Sequence, residues 1–233
     1  MAWRLGRGLL ISFCGYTIEW KKWFMVQKIS GLKAQKRNPQ RLNVYLDGEF
    51  AFGLSRYTAA WLQVGQELTE ERIEELLIQD AQETAYQAAA KFIGYRIRTT
   101  SEIEKYLNGK GIEQPIINQV IERLTSNGLL DDKFFAHLWI ENRNEFRPRS
   151  RRLLTSELKN KGISLEIIED ALKDTMPEEE LAYLAAQKRV RRYEHLEWNP
   201  FYQKMGSYLA RRGFSYSIIR PVIEQIWKEK HKV

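Results

Sequence analysis

From Val26 the chain alternates between apolar and polar positions with a period of two. The stretch V-Q-K-I-S-G-L-K-A-Q-K leads into a turn at Asn38-Pro39, and R-L-N-V-Y-L-D-G-E-F-A-F-G-L follows. Asp47-Gly48 interrupts that second alternation. An Asp-Gly pair flanked by alternating residues predicts a two-residue hairpin, because both central positions require positive φ. The predicted register sets Val44 opposite Ala51 and Tyr45 opposite Phe50. A three-stranded antiparallel meander over about 26–55 is expected. Three strands are marginal alone, so one face must pack on something helical.

After Leu54 the period changes from two to that of a helix. Tyr57–Leu62 reads as a short helix. Thr69 is the expected N-cap of T-E-E-R-I-E-E-L-L-I-Q-D-A-Q-E-T-A-Y-Q-A-A-A-K-F-I, whose first turn is acidic, as the helix dipole favours. Ile73, Leu76, Leu77 and Ala81 make its predicted apolar stripe.

The rest of the chain repeats. Y-L-N-G-K-G-I from Tyr106, E-L-K-N-K-G-I from Glu157 and Y-L-A-R-R-G-F from Tyr208 are spaced 51 residues apart. The same spacing relates Ile103, Leu154 and Met205, and then Ile117, Ile168 and Ile219. It holds for Val120, Ala171 and Val222, and for Ile121, Leu172 and Ile223. Such self-similarity marks a helical array. Gly111, Gly162 and Gly213 are expected at C′, in left-handed conformation. Ile112, Ile163 and Phe214 then reach back to Leu107, Leu158 and Leu209, the apolar contact of a Schellman motif. Gly128 repeats the rule between Leu124 and Leu129. Thr99, Asp131, Ser150 and Ser215 are expected N-caps.

The reading is mainly α: three tandem three-helix repeats in an elongated array, preceded by a small antiparallel β meander. Helices are placed near 85–95, 101–110 and 115–126, then 132–145, 151–161 and 165–174, then 178–192, 201–212 and 216–229. The predicted domains are an N-terminal extension over 1–25, the meander with its short helix over 26–68, and repeats over 69–128, 129–176 and 177–233. Joints are expected near Arg147-Pro148, Met176-Pro177 and Asn199-Pro200.

Composition narrows the function classes. The 233 residues carry a net charge of +7, with 43% apolar residues. The pI near 9.4 favours an acidic partner. Cys14 is the single cysteine, so neither an internal disulfide nor a Cys-based zinc site is expected. His137, His195 and His231 have no partners at helical spacing. No apolar run is long enough to span a bilayer. Arg4 and Arg7 precede the apolar run Leu9–Tyr16, but no small-residue cleavage site follows. Translation starting at Met25 is the expected reading of residues 1–24. Asn108-Gly-Lys-Gly lacks the upstream glycine and the following Ser or Thr of a phosphate-binding loop. Asp131 reads as a cap rather than a metal ligand. A binding or regulatory protein is expected rather than an enzyme, with no cofactor or metal.

Basic residues recur at related repeat positions and predict a discontinuous stripe. Its members are Arg96, Arg98, Lys105 and Lys110; Arg143, Arg147, Arg149, Arg151, Arg152, Lys159 and Lys161; and Arg189, Arg191, Arg192, Arg211 and Arg212. Charge alone does not separate phosphates from carboxylates as the ligand. Trp139 and Trp227 read as core residues.

Four segments carry a resemblance: Y-R-I-R-T-T-S-E-I-E-K-Y-L-N-G-K-G-I, N-G-L-L-D-D-K-F-F-A-H-L-W-I-E-N-R, R-P-R-S-R-R-L-L-T-S-E-L-K-N-K-G-I and Y-L-A-R-R-G-F-S-Y-S-I-I. Together with the D-G-E-F-A-F-G-L hairpin they resemble the bacterial RecX family, modulators of the RecA recombinase, over about 27–228. The resemblance implies three three-helix repeats, a cytoplasmic monomer without catalysis, and binding along the groove of the RecA–single-stranded-DNA filament. There it would limit filament growth, ATPase and strand exchange, with DNA phosphates as a direct contact left open. The alternative is a DNA-binding helical array acting without RecA. The family assigns no contact residues, so the basic positions rest on charge and repeat geometry.

Overall fold

A computed structural model describes residues 26–230, together with a short antiparallel pair of strands, β1 (Ser12–Phe13) and β2 (Tyr16–Thr17). The expectations for the remainder of residues 1–25, Cys14 among them, and for His231 lie outside the described residues. The chain clusters into two compact units, residues 1–88 with 112–120 and residues 89–111 with 121–233.

The first unit is built on an antiparallel sheet. Strands β3 (Gln27–Ala34), β4 (Arg41–Leu46), β5 (Glu49–Ser55) and β6 (Glu67–Leu68) are arranged in the order β5-β4-β3-β6. The sheet therefore has a fourth strand, two residues long, beyond the predicted meander. Asp47 and Gly48 take φ of 49° and 94°, as the hairpin requires. Tyr45 pairs with Phe50 as expected. Val44 pairs with Phe52 rather than Ala51, because an irregularity between Val44 and Tyr45 shifts the register. That shift keeps Phe52 on the inner face, where it packs against Val44, Leu46, Leu54 and their neighbours.

The predicted short helix is a single 3₁₀ turn, Thr58–Trp61. Helix α1 (Glu70–Ile93) is continuous, so the lead-in helix and the expected helix at 85–95 are one element. The Thr69 hydroxyl accepts from the Arg72 N–H at 3.3 Å, confirming the cap. The stripe is rotated from the prediction. Leu76 is buried in the sheet core, whereas Leu77 is 41% exposed. Asp80 is buried in turn, accepting from the Ser55 N–H at 2.5 Å and pairing with Arg41 at 2.7 Å. A partnered carboxylate at the edge of the sheet displaces an apolar residue from the stripe.

The helices that follow are α2 (Thr100–Asn108), α3 (Gln114–Ser126), α4 (Asp132–Phe146), α5 (Arg151–Asn160) and α6 (Leu165–Lys173). The last three are α7 (Glu178–Val190), α8 (Trp198–Ala210) and α9 (Tyr216–Lys230). Thr99, Asp131 and Ser150 cap α2, α4 and α5 with their side chains. Ser215 precedes α9, and its hydroxyl meets that of Ser217 at 2.8 Å. The repeated apolar columns are buried in every copy except at Ile112 and Ile121, which are half-buried. Two separate cores result in the second unit. One gathers Phe135, Leu154, Leu158, Ile163 and Ile168, and the other gathers Leu181, Phe201, Leu209, Phe214 and Ile223.

Two of the three repeat glycine stops close as predicted, whereas at Gly111, which has the expected positive φ, Leu107 O accepts from the Lys110 N–H instead of the Ile112 N–H. The Ile163 N–H reaches Leu158 O at 3.1 Å and the Phe214 N–H reaches Leu209 O at 3.4 Å. At Gly128 the backbone closes in the same way, but Leu129 is exposed and Leu130 is buried instead. Pro200 does not mark a joint. It lies in the first turn of α8, where a missing N–H costs no helical bond. Pro148 is buried and its carbonyl accepts from Arg212 at 3.0 Å, while Pro177 stands at the N-cap position of α7.

Candidate functional site

The geometry of the predicted basic stripe is set by joints within the second unit. The Thr99 hydroxyl caps α2 by accepting from the Glu102 N–H at 3.3 Å. It also donates to the Lys161 carbonyl, at the end of α5, at 2.7 Å. At the equivalent place one repeat later, the Ser150 hydroxyl accepts from the Leu153 N–H at 3.2 Å. The Ser150 N–H donates to Arg212 O, at the end of α8, at 3.0 Å. In both joints the N-terminus of one middle helix meets the glycine-stopped C-terminus of the next. The positive end of one dipole faces the negative end of another.

The glycines permit this approach. A Cβ on Gly162 would stand 2.2 Å from Ser101 Cβ, and one on Gly213 would stand 2.4 Å from Ser150 Oγ. Thus Gly162 and Gly213 serve the left-handed stop and also the seat of the neighbouring repeat.

Two carboxylates organise the cations around the first joint. Glu102, in the first turn of α2, pairs with Lys161 at 2.6 Å and Arg96 at 2.9 Å, with Arg98 at 3.8 Å. Burial alone would raise the Glu102 carboxyl, but hydrogen bonds and charge from Arg96 and Lys161 outweigh it and hold it at about 2. Glu157 on α5 pairs with Arg143 at 3.0 Å and with Arg149, and accepts from Trp139 Nε1 at 2.9 Å. Burial, followed by the neighbouring Arg143, Arg212 and Arg147 charges, pushes the Arg149 guanidinium down. The Trp139 ring stacks on Phe135 and carries Arg143 at 4.2 Å and Lys161 at 5.4 Å. Core packing is therefore part of its role, as expected. A groove of about 490 Å³ runs past these groups, with Lys105 and Asn160 on its rim.

The stripe accordingly divides in two. Arg96, Arg98, Arg143, Arg149, Lys161 and Arg212 are tied into joints, with Arg98 lying 3.7 Å over Phe92 and Arg212 4.7 Å over Tyr208. Arg151 joins them, donating to Thr175 O at 3.0 Å while its N–H meets Glu178 at 2.7 Å. Arg189 leans on Tyr193 and Tyr208. In contrast, Lys105, Lys110, Arg147, Arg152, Lys159, Arg191, Arg192 and Arg211 are exposed. Of these, Lys110 approaches the Tyr106 ring at 5.0 Å.

Sequence reasoning passed over Glu102 and Glu157 as anchors. A signal was present, since Thr99 and Ser150, like Lys161 and Arg212, obey the 51-residue spacing. Among the described residues, no cluster of three or more His, Cys, Asp or Glu is placed to hold a metal. No helix there is long and apolar enough to cross a membrane.

Four family descriptions match in order along the chain. They are the regulatory protein RecX N-terminal domain over 27–69, and the RecX first, second and third three-helix domains over 85–124, 131–172 and 177–223. Regulatory protein RecX of Bacillus pumilus is 31% identical over 204 residues, covering 85% of this chain and 77% of its own length. The chain belongs to the RecX family. Regulatory protein RecX of Bacillus cytotoxicus is 29% identical over 210 residues, covering 87% of this chain and 78% of its own. A crystal structure of regulatory protein RecX superposes with a TM-score of 0.66 at 30% identity, covering 85% of this chain and 99% of that one. Three RecX three-helix domains agree with the predicted fold class of three helical repeats, and RecX is a family of regulatory proteins.

Proposed function

We propose that this RecX-family chain is a non-enzymatic cytoplasmic regulator that binds the RecA–single-stranded-DNA filament as a monomer and limits its growth, ATPase and strand exchange. Family membership supports the regulatory role. The observation that carries the mode of binding is the partition of the cations. One set is spent on joints between repeats, and a second set remains exposed in each of the three repeats: Lys105 and Lys110, then Arg147, Arg152 and Lys159, then Arg191, Arg192 and Arg211. Many weak contacts from one tethered array add through effective concentration, so each exposed residue contributes modestly. The domain division that goes with this reading is a sheet-bearing segment over 26–68 and repeats over 69–128, 129–176 and 177–233.

The test is the DNA-dependent ATPase of RecA titrated with this protein. Loss of activity together with co-sedimentation is expected. Unchanged hydrolysis at large excess, with no co-sedimentation, rejects the reading. Tight, strongly salt-dependent binding to naked DNA without any effect on RecA would favour an independent DNA-binding array instead.

A further inference from the structure

The outer face of the sheet brings aromatic, amide and cationic side chains together. The register places Ile29, Leu32, Val44, Phe52 and Leu54 on the inner face, in or against the core. The alternate residues face outward. At their centre Tyr45 and Phe50 meet edge to face, with ring centroids 6.0 Å apart and planes at 76°. Phe50 is 59% exposed, although a phenyl ring gains nothing from water there. The Lys33 ammonium lies 5.0 Å over the Tyr45 ring. Beside them the Gln35 amide donates to Asn43 Oδ1 at 2.8 Å.

Two glycines keep this face flat. Gly31 lies opposite Tyr45, and Gly53 lies opposite Asn43. A Cβ on Gly53 would stand 2.9 Å from Gln35 Nε2 and displace the amide pair. The hairpin beneath Phe50 is pinned to β3. The Gly48 N–H donates to Ser30 Oγ at 2.8 Å and the Lys28 N–H to Asp47 Oδ1 at 3.2 Å.

We propose that this face is a stacking platform for the bases of single-stranded DNA. An exposed aromatic ring on a pinned strand offers a planar partner to any base, and Gly53 lets the Gln35 amide lie close against the sheet beside it. The Gln35–Asn43 amides present hydrogen-bonding edges beside the ring, and Lys33 stands where a backbone phosphate would pass. This pairing of aromatic faces with cations is how single strands are held without sequence preference. Charge agrees, since residues 26–69 hold six basic and three acidic side chains. A duplex hides its base faces and does not fit. The inference goes beyond the filament reading, because it needs no recombinase.

The experiment uses the full chain and a fluorescently labelled 15-nucleotide dT strand, with anisotropy read at two salt concentrations. Phe50→Ala is expected to weaken binding about five-fold or more, while Phe50→Trp keeps or tightens it. Lys33→Ala should reduce the slope of log affinity against log salt by about 0.7. Binding to a duplex of equal length should be the same for wild type and Phe50→Ala. Circular dichroism melts of the variants should match wild type, because the ring is exposed. Equal dT affinity for wild type and Phe50→Ala overturns the proposal, as does an equal loss on single strand and duplex. A Phe50→Ala variant that keeps dT affinity but loses RecA co-sedimentation also overturns it, marking the face as a protein contact. The ATPase titration stands or falls separately.

Discussion

The Thr99 side chain donates to the Lys161 carbonyl at 2.7 Å, across 62 residues of chain. The same hydroxyl caps its own helix, so one atom closes α2 and fastens α5 to it. One repeat later the two tasks are divided, the Ser150 hydroxyl capping α5 and the Ser150 N–H fastening it to Arg212 O. Repeats that bury only small cores individually depend on such neighbour terms. Thr99→Val keeps the shape and removes both bonds. It should cost about 1–2 kcal/mol in urea unfolding, and Thr99→Ser should recover most of that.

The two roles of the glycines separate by substitution. Gly162→Ala forces a left-handed alanine and drives its Cβ into Ser101, so a loss of roughly 2–5 kcal/mol is expected. Gly111 has positive φ as well, but nothing lies within 4 Å of a Cβ there. Gly111→Ala should therefore cost only about 1–2 kcal/mol. Equal losses would deny Gly162 its part in the joint.

Glu102 makes stability depend on acid. Its folded pKa of about 2 lies below the ordinary 4.5, so its contribution is complete above about pH 4.5 and fades as pH falls toward 2. With allowance for solvent screening of a site at the surface, the expected loss is about 1 kcal/mol. Glu102→Gln should lower stability at neutral pH and flatten the profile over that window, measured by urea midpoints at several pH values.

The arginine run at 147–152 is functionally mixed. Arg149 and Arg151 hold structure, whereas Arg152 is exposed. Arg149→Ala should destabilise by about 1–3 kcal/mol by leaving the Glu157 carboxylate short of a partner. Arg152→Ala should change stability by less than about 0.5 kcal/mol. A joint replacement of all three would thus melt early and confuse unfolding with lost binding.

Local rules carried most of the fold. The Asp47-Gly48 hairpin, the caps at Thr99, Asp131 and Ser150, and the glycine stops each depend on a few neighbouring residues, so they were legible in the sequence. Features needing distant partners were not. The pairing of Val44 with Phe52 rather than Ala51 has no local mark in the sequence, and the strand Glu67–Leu68 exists only through pairing with Gln27 and Lys28. Leu77 reads as a core residue in sequence because the burial of Asp80 depends on Arg41 and Ser55, which are distant along the chain. The candidate site was half visible. Periodicity found the cations, but only coordinates could show that Arg98, Arg149 and Lys161 fold back onto neighbouring groups while Arg191 and Arg211 do not.

The central claim is that joint cations hold the repeats while exposed cations meet the filament. Its most direct test is the RecA ATPase titration with a variant carrying Arg152→Ala, Arg191→Ala, Arg192→Ala and Arg211→Ala together. The account predicts a wild-type melting curve and inhibition weakened ten-fold or more in protein concentration, roughly 1.4 kcal/mol. Wild-type inhibition by that folded variant would contradict it.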